Sequence, residues 1–221
     1  MQVMLYIRKP AAHLRAVSRQ VEIIEREGNC RMKVLLLCDR ESSNVNGCNL
    51  RELVQIALQS ITSETRTVVL NSDEIHPCIG CFGCWIKTPG LCVIKTDCAN
   101  SVSGLEIQSD AVVLLSRVTF GGYSADIKAF LDRSIPNISP FLEIYRGEMH
   151  HKVRYSRFPR WIAFGYGEST PRERQTFSEL AERNALNMRP PKYDVFTACT
   201  TDEIFAAIQA LTKSLSEEVR S

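Results

Sequence analysis

Between Cys78 and Cys92 the chain places four cysteines at C-x2-C-x2-C-x7-C spacing, with Gly80, Gly83 and Pro89-Gly90 among them. Thiolates are soft ligands. Four of them in fifteen residues suit an iron–sulfur cluster or another metal, and they equally suit a run of thiols beside a redox cofactor. On a straight helix Cys78, Cys81 and Cys84 would fan around the axis, so joint ligation needs a wrapped loop, which the glycines and the Pro-Gly pair allow. Zinc suits the pattern less well, because thiolate zinc sites usually come as two separated pairs. The other five cysteines, Cys30, Cys38, Cys48, Cys98 and Cys199, read as structural thiols.

His150-His151 offers two imidazoles. Adjacent residues point apart and rarely chelate one ion, so a loop pair at an interface or cofactor rim is the better reading. Arg154, Arg157 and Arg160 could meet a nucleotide phosphate, and an exposed basic strand edge explains them equally well.

Three loops could hold a ligand. Asp39-Arg40-Glu41-Ser42-Ser43-Asn44-Val45-Asn46-Gly47 leads into a helix and supplies hydroxyls, amides and an arginine fork for a phosphate. Asp39 and Glu41 would repel a dianion unless they point outward. Ser116 to Ser124 carries Gly121-Gly122 between Phe120 and Tyr123. That allows either a close backbone approach to a flat ring or a tight strand-to-helix turn. Gly165 to Ser169 is again rich in glycine and contains an aromatic ring. Nothing fits the GxGxxG or Gly-Lys-Ser/Thr fingerprints.

These loops follow apolar runs. Lys33–Cys38, Thr67–Leu70, Ala111–Leu115, Trp161–Phe164 and Tyr193–Thr197 read as strands, mostly buried on both faces. Helical patterns separate them at 50–58, 125–133, 176–188 and 202–219, the last with Asp202 as N-cap. Strand–helix alternation predicts an α/β, doubly wound sheet whose ligand lies beyond the carboxyl ends of the strands. Residues 1–31 fall outside the rhythm and read as an N-terminal helical extension, with the main domain over 32–221.

Composition removes several classes. A net charge of +2 without a Lys/Arg run argues against nucleic acid. No apolar stretch reaches the length of a membrane span, and Met1 to Pro10 lacks a signal-peptide pattern, so a cytoplasmic protein with reduced thiols is expected.

Taken together the motifs are specific. Arg40-Glu41-Ser42-Ser43-Asn44 resembles the S-P-R-x-x-S-N-T phosphate loop of the NAD(P)H-dependent FMN reductase group in the flavodoxin-like superfamily. Cys78 to Cys92 is similar to the C-x-G-C-x-x-C-W-x-K-T-P-G-x-C segment of one subgroup, related to the iron–sulfur flavoproteins. Thr119 to Ser124, then Lys128 and Leu131-Asp132-Arg133, resembles the isoalloxazine loop and its following helix. The chain departs from the pattern at Cys38-Asp39, where Ser-Pro is usual, at Val45 for Thr, at Arg117 for Pro, and at Thr96-Asp97-Cys98 for Asp-Asp-Met.

The resemblance implies a flavodoxin-like three-layer αβα sandwich with a five-stranded parallel sheet in order 2-1-3-4-5. It implies FMN with Arg40, Ser43, Asn44 and the Val45 backbone at the phosphate, and with Thr119, Phe120, Gly121, Gly122 and Tyr123 along the ring. Pro77, Cys78 and Ile79 would lie on the ring's other side. The implied activity is an oxidoreductase taking a hydride from NAD(P)H to flavin and passing electrons to a small molecule or protein, in a homodimer or homotetramer, with no side-chain acid or base. One alternative is an electron carrier with a [4Fe-4S] cluster at Cys78, Cys81, Cys84 and Cys92. Another is a non-enzymatic domain with a decayed flavin site.

Overall fold

A computed structural model describes residues 32–219. The expected N-terminal extension and Cys30 lie outside that range. Strands β1 (Lys33–Cys38), β2 (Glu64–Val69), β3 (Ala111–Arg117), β6 (Arg160–Tyr166) and β7 (Tyr193–Ala198) form a parallel sheet in the order β2-β1-β3-β6-β7. Counting only these strands in chain order gives 2-1-3-4-5, the expected topology. A second, two-stranded antiparallel sheet joins β4 (Ile138–Tyr145) to β5 (Glu148–Val153).

Side chains alternate across a strand, so β1 feeds two cores. Val34, Leu36 and Cys38 face α1 (Leu50–Gln59) and α6 (Thr201–Val219). Leu35 and Leu37 face α3 (Ala99–Gln108), α4 (Ala125–Arg133) and α5 (Pro171–Met188). Both faces are covered, which is why β1 and β3 read as unbroken apolar runs. A short helical turn, α2 (Gly83–Ile86), sits inside the cysteine segment.

Several boundaries differ from expectation. α5 begins at Pro171 because Thr170 and Glu173 form a reciprocal capping box with Pro171 in the first turn. α6 begins at Thr201 rather than after Asp202. The Thr200 hydroxyl accepts from Glu203 N–H, and the Glu203 carboxylate accepts from the Cys199 and Thr200 amides. Helix α3 and the β4–β5 hairpin were not expected. His150 and His151 therefore belong to a strand, not a loop, and point to opposite faces. His150 contacts Asn187 at 2.9 Å and Glu148 at 3.2 Å, and His151 lies tilted against Trp85 with ring centroids 5.1 Å apart.

The three arginines are committed elsewhere. Arg154 donates to the carbonyls of Pro136 and Ile138, and Arg157 pairs with Asp110 at 2.6 Å. Arg160 is fully buried, pairs with Asp194 and donates to Ser214 O at 2.9 Å. It starts β6, at the end of that strand opposite the candidate site, so neither a phosphate contact there nor an exposed basic edge describes it. Among the described residues no helix is long and apolar enough to cross a membrane.

Candidate functional site

The carboxyl ends of β1, β3 and β6 are tied together by one side chain. Asp39, 1% exposed, caps the 3-10 turn Arg40–Ser43 by accepting from Ser42 N–H at 3.0 Å. Its second oxygen accepts from Arg117 N–H at 2.7 Å, and the first also accepts from the Tyr166 hydroxyl at 2.5 Å. Burial pushes the Asp39 carboxyl up, against the pull of these donors. Burial and the adjacent Asp39 push the Tyr166 phenol far up, so it remains a donor. Asp39 thus points inward rather than outward and serves as an anchor. Glu41 is matched by an ion pair to Arg117. Neither acid stands as an unpaired charge facing a phosphate.

Arg40 is held over helix α4. Its Nε and Nη2 donate to the two oxygens of Asp126 at 3.1 Å each, its backbone N–H donates to Asp126 at 3.1 Å, and Nη1 meets Asp73 at 2.9 Å. Burial raises the Asp126 carboxyl, but bonds from Arg40 and Ser72 outweigh it and hold the group below its ordinary range. The guanidinium stays half-exposed and is fixed in orientation. Ser43 and Asn44 are exposed beside it, with the Ser43 hydroxyl donating to Arg40 O at 3.0 Å. The Val45 side chain is buried, and its N–H closes a turn onto Cys48 O at 2.8 Å.

The ring loop is a two-residue turn. Thr119 and Gly122 exchange backbone hydrogen bonds at 3.0 and 2.8 Å, with Phe120 at φ 50° and Gly121 at φ 78°. A Cβ on Gly121 would lie 2.8 Å from Thr176 Cβ, so its close approach is to α5. Tyr123 turns into the core against Phe177, ring centroids 5.1 Å apart, and burial pushes its phenol up to about 12. Thr119 and Phe120 remain at the rim. Phe120 is 93% exposed, and Ile79, beside exposed Pro77 and Cys78, is 68% exposed.

Five of these groups fit FMN by type. They are a fixed guanidinium, the hydroxyl and amide of Ser43 and Asn44, and two apolar side chains standing in solvent on the expected ring loops. Of the expected residues, Arg40, Ser43, Asn44, Pro77, Cys78, Ile79, Thr119 and Phe120 are at the surface, whereas the side chains of Val45 and Tyr123 are not. Asp39, Asp73, Asp126 and Tyr166, which organise the loops, were missed. Only Asp39 gave a signal, as an acid where a proline is usual.

The cysteine segment is a wrapped loop. Gly80 at φ 64° and Phe82 at φ 54° turn the chain into α2, and Gly90 N–H returns to Cys84 O at 3.1 Å. Cys78 and Cys81 are exposed, Cys92 is half-buried and Cys84 is buried. Burial pushes the Cys84 thiol up, and the nearby Cys92, Cys78 and Cys81 add to the rise. The four thiols therefore share a neighbourhood, yet among the described residues no three His, Cys, Asp or Glu side chains are placed to hold a metal ion. The donors suit a cluster in kind, and ligation would require the loop to shift.

Two anchors fix the segment. Trp85 donates from Nε1 to Ile138 O at 3.1 Å and Ile135 O at 3.3 Å, while its ring lies between Phe82 and His151. Arg133, buried on α4, donates to His76 O at 2.7 Å, to Ile94 O at 3.3 Å and to Asp97 at 2.6 and 3.2 Å.

No protein-family model matches the chain. The chain is 38% identical over 91 residues to an iron-sulfur flavoprotein of Methanocaldococcus jannaschii, covering 40% of this chain and 46% of that protein. It spans less than half the length of each of the curated relatives it matches. An NAD(P)H:quinone oxidoreductase from Methanothermobacter marburgensis superposes with a TM-score of 0.58 at 9% identity, covering 85% of this chain and 96% of the other. An FMN-dependent NADH-azoreductase from Bacillus anthracis, solved with FMN, superposes with a TM-score of 0.54 at 12% identity, covering 85% and 99%. At such identity the likeness establishes the fold, which is flavodoxin-like.

Proposed function

We propose that the chain is an FMN-binding, NAD(P)H-dependent oxidoreductase that passes electrons to a small-molecule or protein acceptor in a homodimer or homotetramer. The observation that carries this reading is the rim itself. Arg40, Ser43 and Asn44 present a charged fork, a hydroxyl and an amide beside the β1 end, while Phe120 and Ile79 stand in solvent on the loops that would flank a flat ring. The names of the matched proteins support it.

FMN when bound supplies hydride acceptance and electron transfer. The chain's own residues bind and orient. Arg40, with Asp126 and Asp73 fixing its plane, would meet the phosphate, and the Ser43 hydroxyl lies in the same loop. Phe120 and Ile79 would exclude water from the ring faces.

Titration with FMN at pH 7.5 tests the reading. Flavin absorbance should shift on binding, and NADH or NADPH should be consumed with a quinone. Arg40→Ala should weaken FMN about tenfold, the low end for a charge-assisted bond because Asp126 and Asp73 already neutralise the cation. A protein that never binds FMN, or an Arg40→Ala variant that binds it equally well, removes the reading and leaves the non-enzymatic domain. A second reading, a [4Fe-4S] electron carrier, is supported by the four cysteines carried on one wrapped loop, Cys78, Cys81, Cys84 and Cys92, which would have to shift to ligate together. Anaerobic reconstitution should then yield about four iron atoms per chain, as four-cysteine ligation requires, and Cys84→Ser should abolish it.

A further inference from the structure

Arg40 faces two carboxylates that are held in different ways. Asp126 is 6% exposed and takes the guanidinium's fork, with Nε and Nη2 donating to its two oxygens at 3.1 Å each. The backbone N–H groups of Ser72 and Arg40 donate to the same carboxylate at 2.8 and 3.1 Å, so it cannot leave without stranding them. Asp73 is the opposite case. Its side chain is 77% exposed, and among the described residues its carboxylate accepts from Arg40 Nη1 at 2.9 Å and from no other group. A local turn keeps it there. The Asn71 side chain accepts from Asp73 N–H at 2.9 Å, and Asn71 O accepts from Glu74 N–H at 3.0 Å.

The guanidinium thus has a closed edge and an open end. Nη1, whose partner stands in solvent, is the end a ligand can reach, and Asp73 lies across that approach. Exposed ion pairs contribute little and are readily exchanged. A phosphate monoester brings about two negative charges at pH 7 and three acceptor oxygens, so it outcompetes a single carboxylate for Nη1. Competition is not the only effect. Arg40 is one cation between two carboxylates, and Glu41 is already matched by Arg117. A phosphate therefore adds charge of the sign already in excess, and Asp73, tethered by its turn, repels it even after yielding Nη1. A flavin without the phosphate meets neither effect.

We propose that Asp73 competes with the flavin phosphate for Arg40, and so sets the preference of this chain for a phosphorylated over an unphosphorylated flavin. This role rests on the function proposed above. It makes Asp73 a determinant of ligand choice, and Asp126 the support that orients the arginine. The wild-type chain then holds FMN more loosely than its donors alone would allow.

Titrating the full chain with FMN and with riboflavin, followed by flavin fluorescence, tests this role. Asp73→Asn keeps the size of the side chain and deletes its charge. It should bind FMN about fivefold tighter, the upper range for one exposed ion pair, and riboflavin as the wild type does. The gain for FMN should shrink when salt rises from about 0.05 M to about 0.5 M, because exposed charges are screened. Asp73→Glu restores the charge and should return FMN to near wild-type affinity. A residue that merely shaped the loop would move FMN and riboflavin together, with no dependence on salt. Equal or weaker FMN binding by Asp73→Asn, or an equal change for riboflavin, overturns the competition and leaves the proposed function standing. If neither the wild type nor Asp73→Asn binds FMN, the proposed function falls and takes this role with it.

Discussion

Arg133 and Asp97 are 0% and 1% exposed, and together they pin the cysteine segment to α4. Replacing Arg133 with Met keeps much of the apolar bulk and deletes the charge. Asp97 would retain donors from His76 N–H at 3.0 Å and Ala99 N–H at 3.1 Å, so its carboxylate would be strained rather than abandoned. Breaking a buried pair costs about 3–5 kcal/mol, and the surviving donors place this case near 3. For a domain of this size that lowers the melting temperature by about 6–12 °C. The carbonyls of His76 and Ile94 lose their donor at the same time, so the loop should loosen before the sheet does. Urea unfolding followed by circular dichroism would measure the global cost. The reaction rate of Cys84 with a thiol reagent would measure the local one, and it should rise about tenfold or more. Adding Asp97→Asn removes the stranded charge, so the double variant should be at least about 1 kcal/mol more stable than additivity predicts. Burial alone would raise Asp97, but Arg133 and the two backbone donors hold it below the ordinary carboxylate range. Its contribution is therefore present above the unfolded-state pKa and lost as pH falls through the lower folded value, and Asp97→Asn should flatten that acid limb. A single-variant cost under about 1 kcal/mol, or strict additivity, would refute the reasoning.

Glu106 is fully buried with one oxygen bonded to Asn137 and the other without a partner, and burial pushes its carboxyl up to about 7. The folded state therefore holds a proton that the unfolded chain releases near its ordinary pKa. Stability should fall as pH rises through that window, and Glu106→Gln should gain about 1–2 kcal/mol at pH 8 and nothing at pH 5 by chemical denaturation. Tyr166→Phe removes a donor from Asp39 and should cost about 1.5–3 kcal/mol in the same assay. Gly121→Ala combines a left-handed backbone with overlap on Thr176 and should cost about 2 kcal/mol. Gly47→Ala, left-handed but facing open space, should cost about 1 kcal/mol, and equal costs would deny the packing role of Gly121.

The sheet could be read from the chain because strands covered on both faces leave continuous apolar runs, and those runs end at the loops that Asp39 ties together. Helix α3 escaped notice because Glu106 lies on its buried face, while Ser101, Ser103 and Gly104 dilute its stripe. The hairpin escaped because its apolar side faces outward, so its pattern points to no core. The start of α5 was legible in Thr170-Pro171 and Glu173 and was overlooked. In the site, residue types at the rim could be listed from motifs, but partners could not. The hydroxyl that steadies Asp39 comes from Tyr166, 127 positions away, and no local spacing encodes that choice.

The inward carboxylate of Asp39 has a consequence for how the molecule handles its ligand. In a loop organised solely around a bound phosphate, losing the phosphate unravels the loop. Here the stitching between three strand termini is internal to the polypeptide, so the loop is organised by its own side chains. On the function proposed above, such a loop could release one flavin and take up another without refolding, which suits a dissociable reactant better than a cofactor retained for the protein's lifetime.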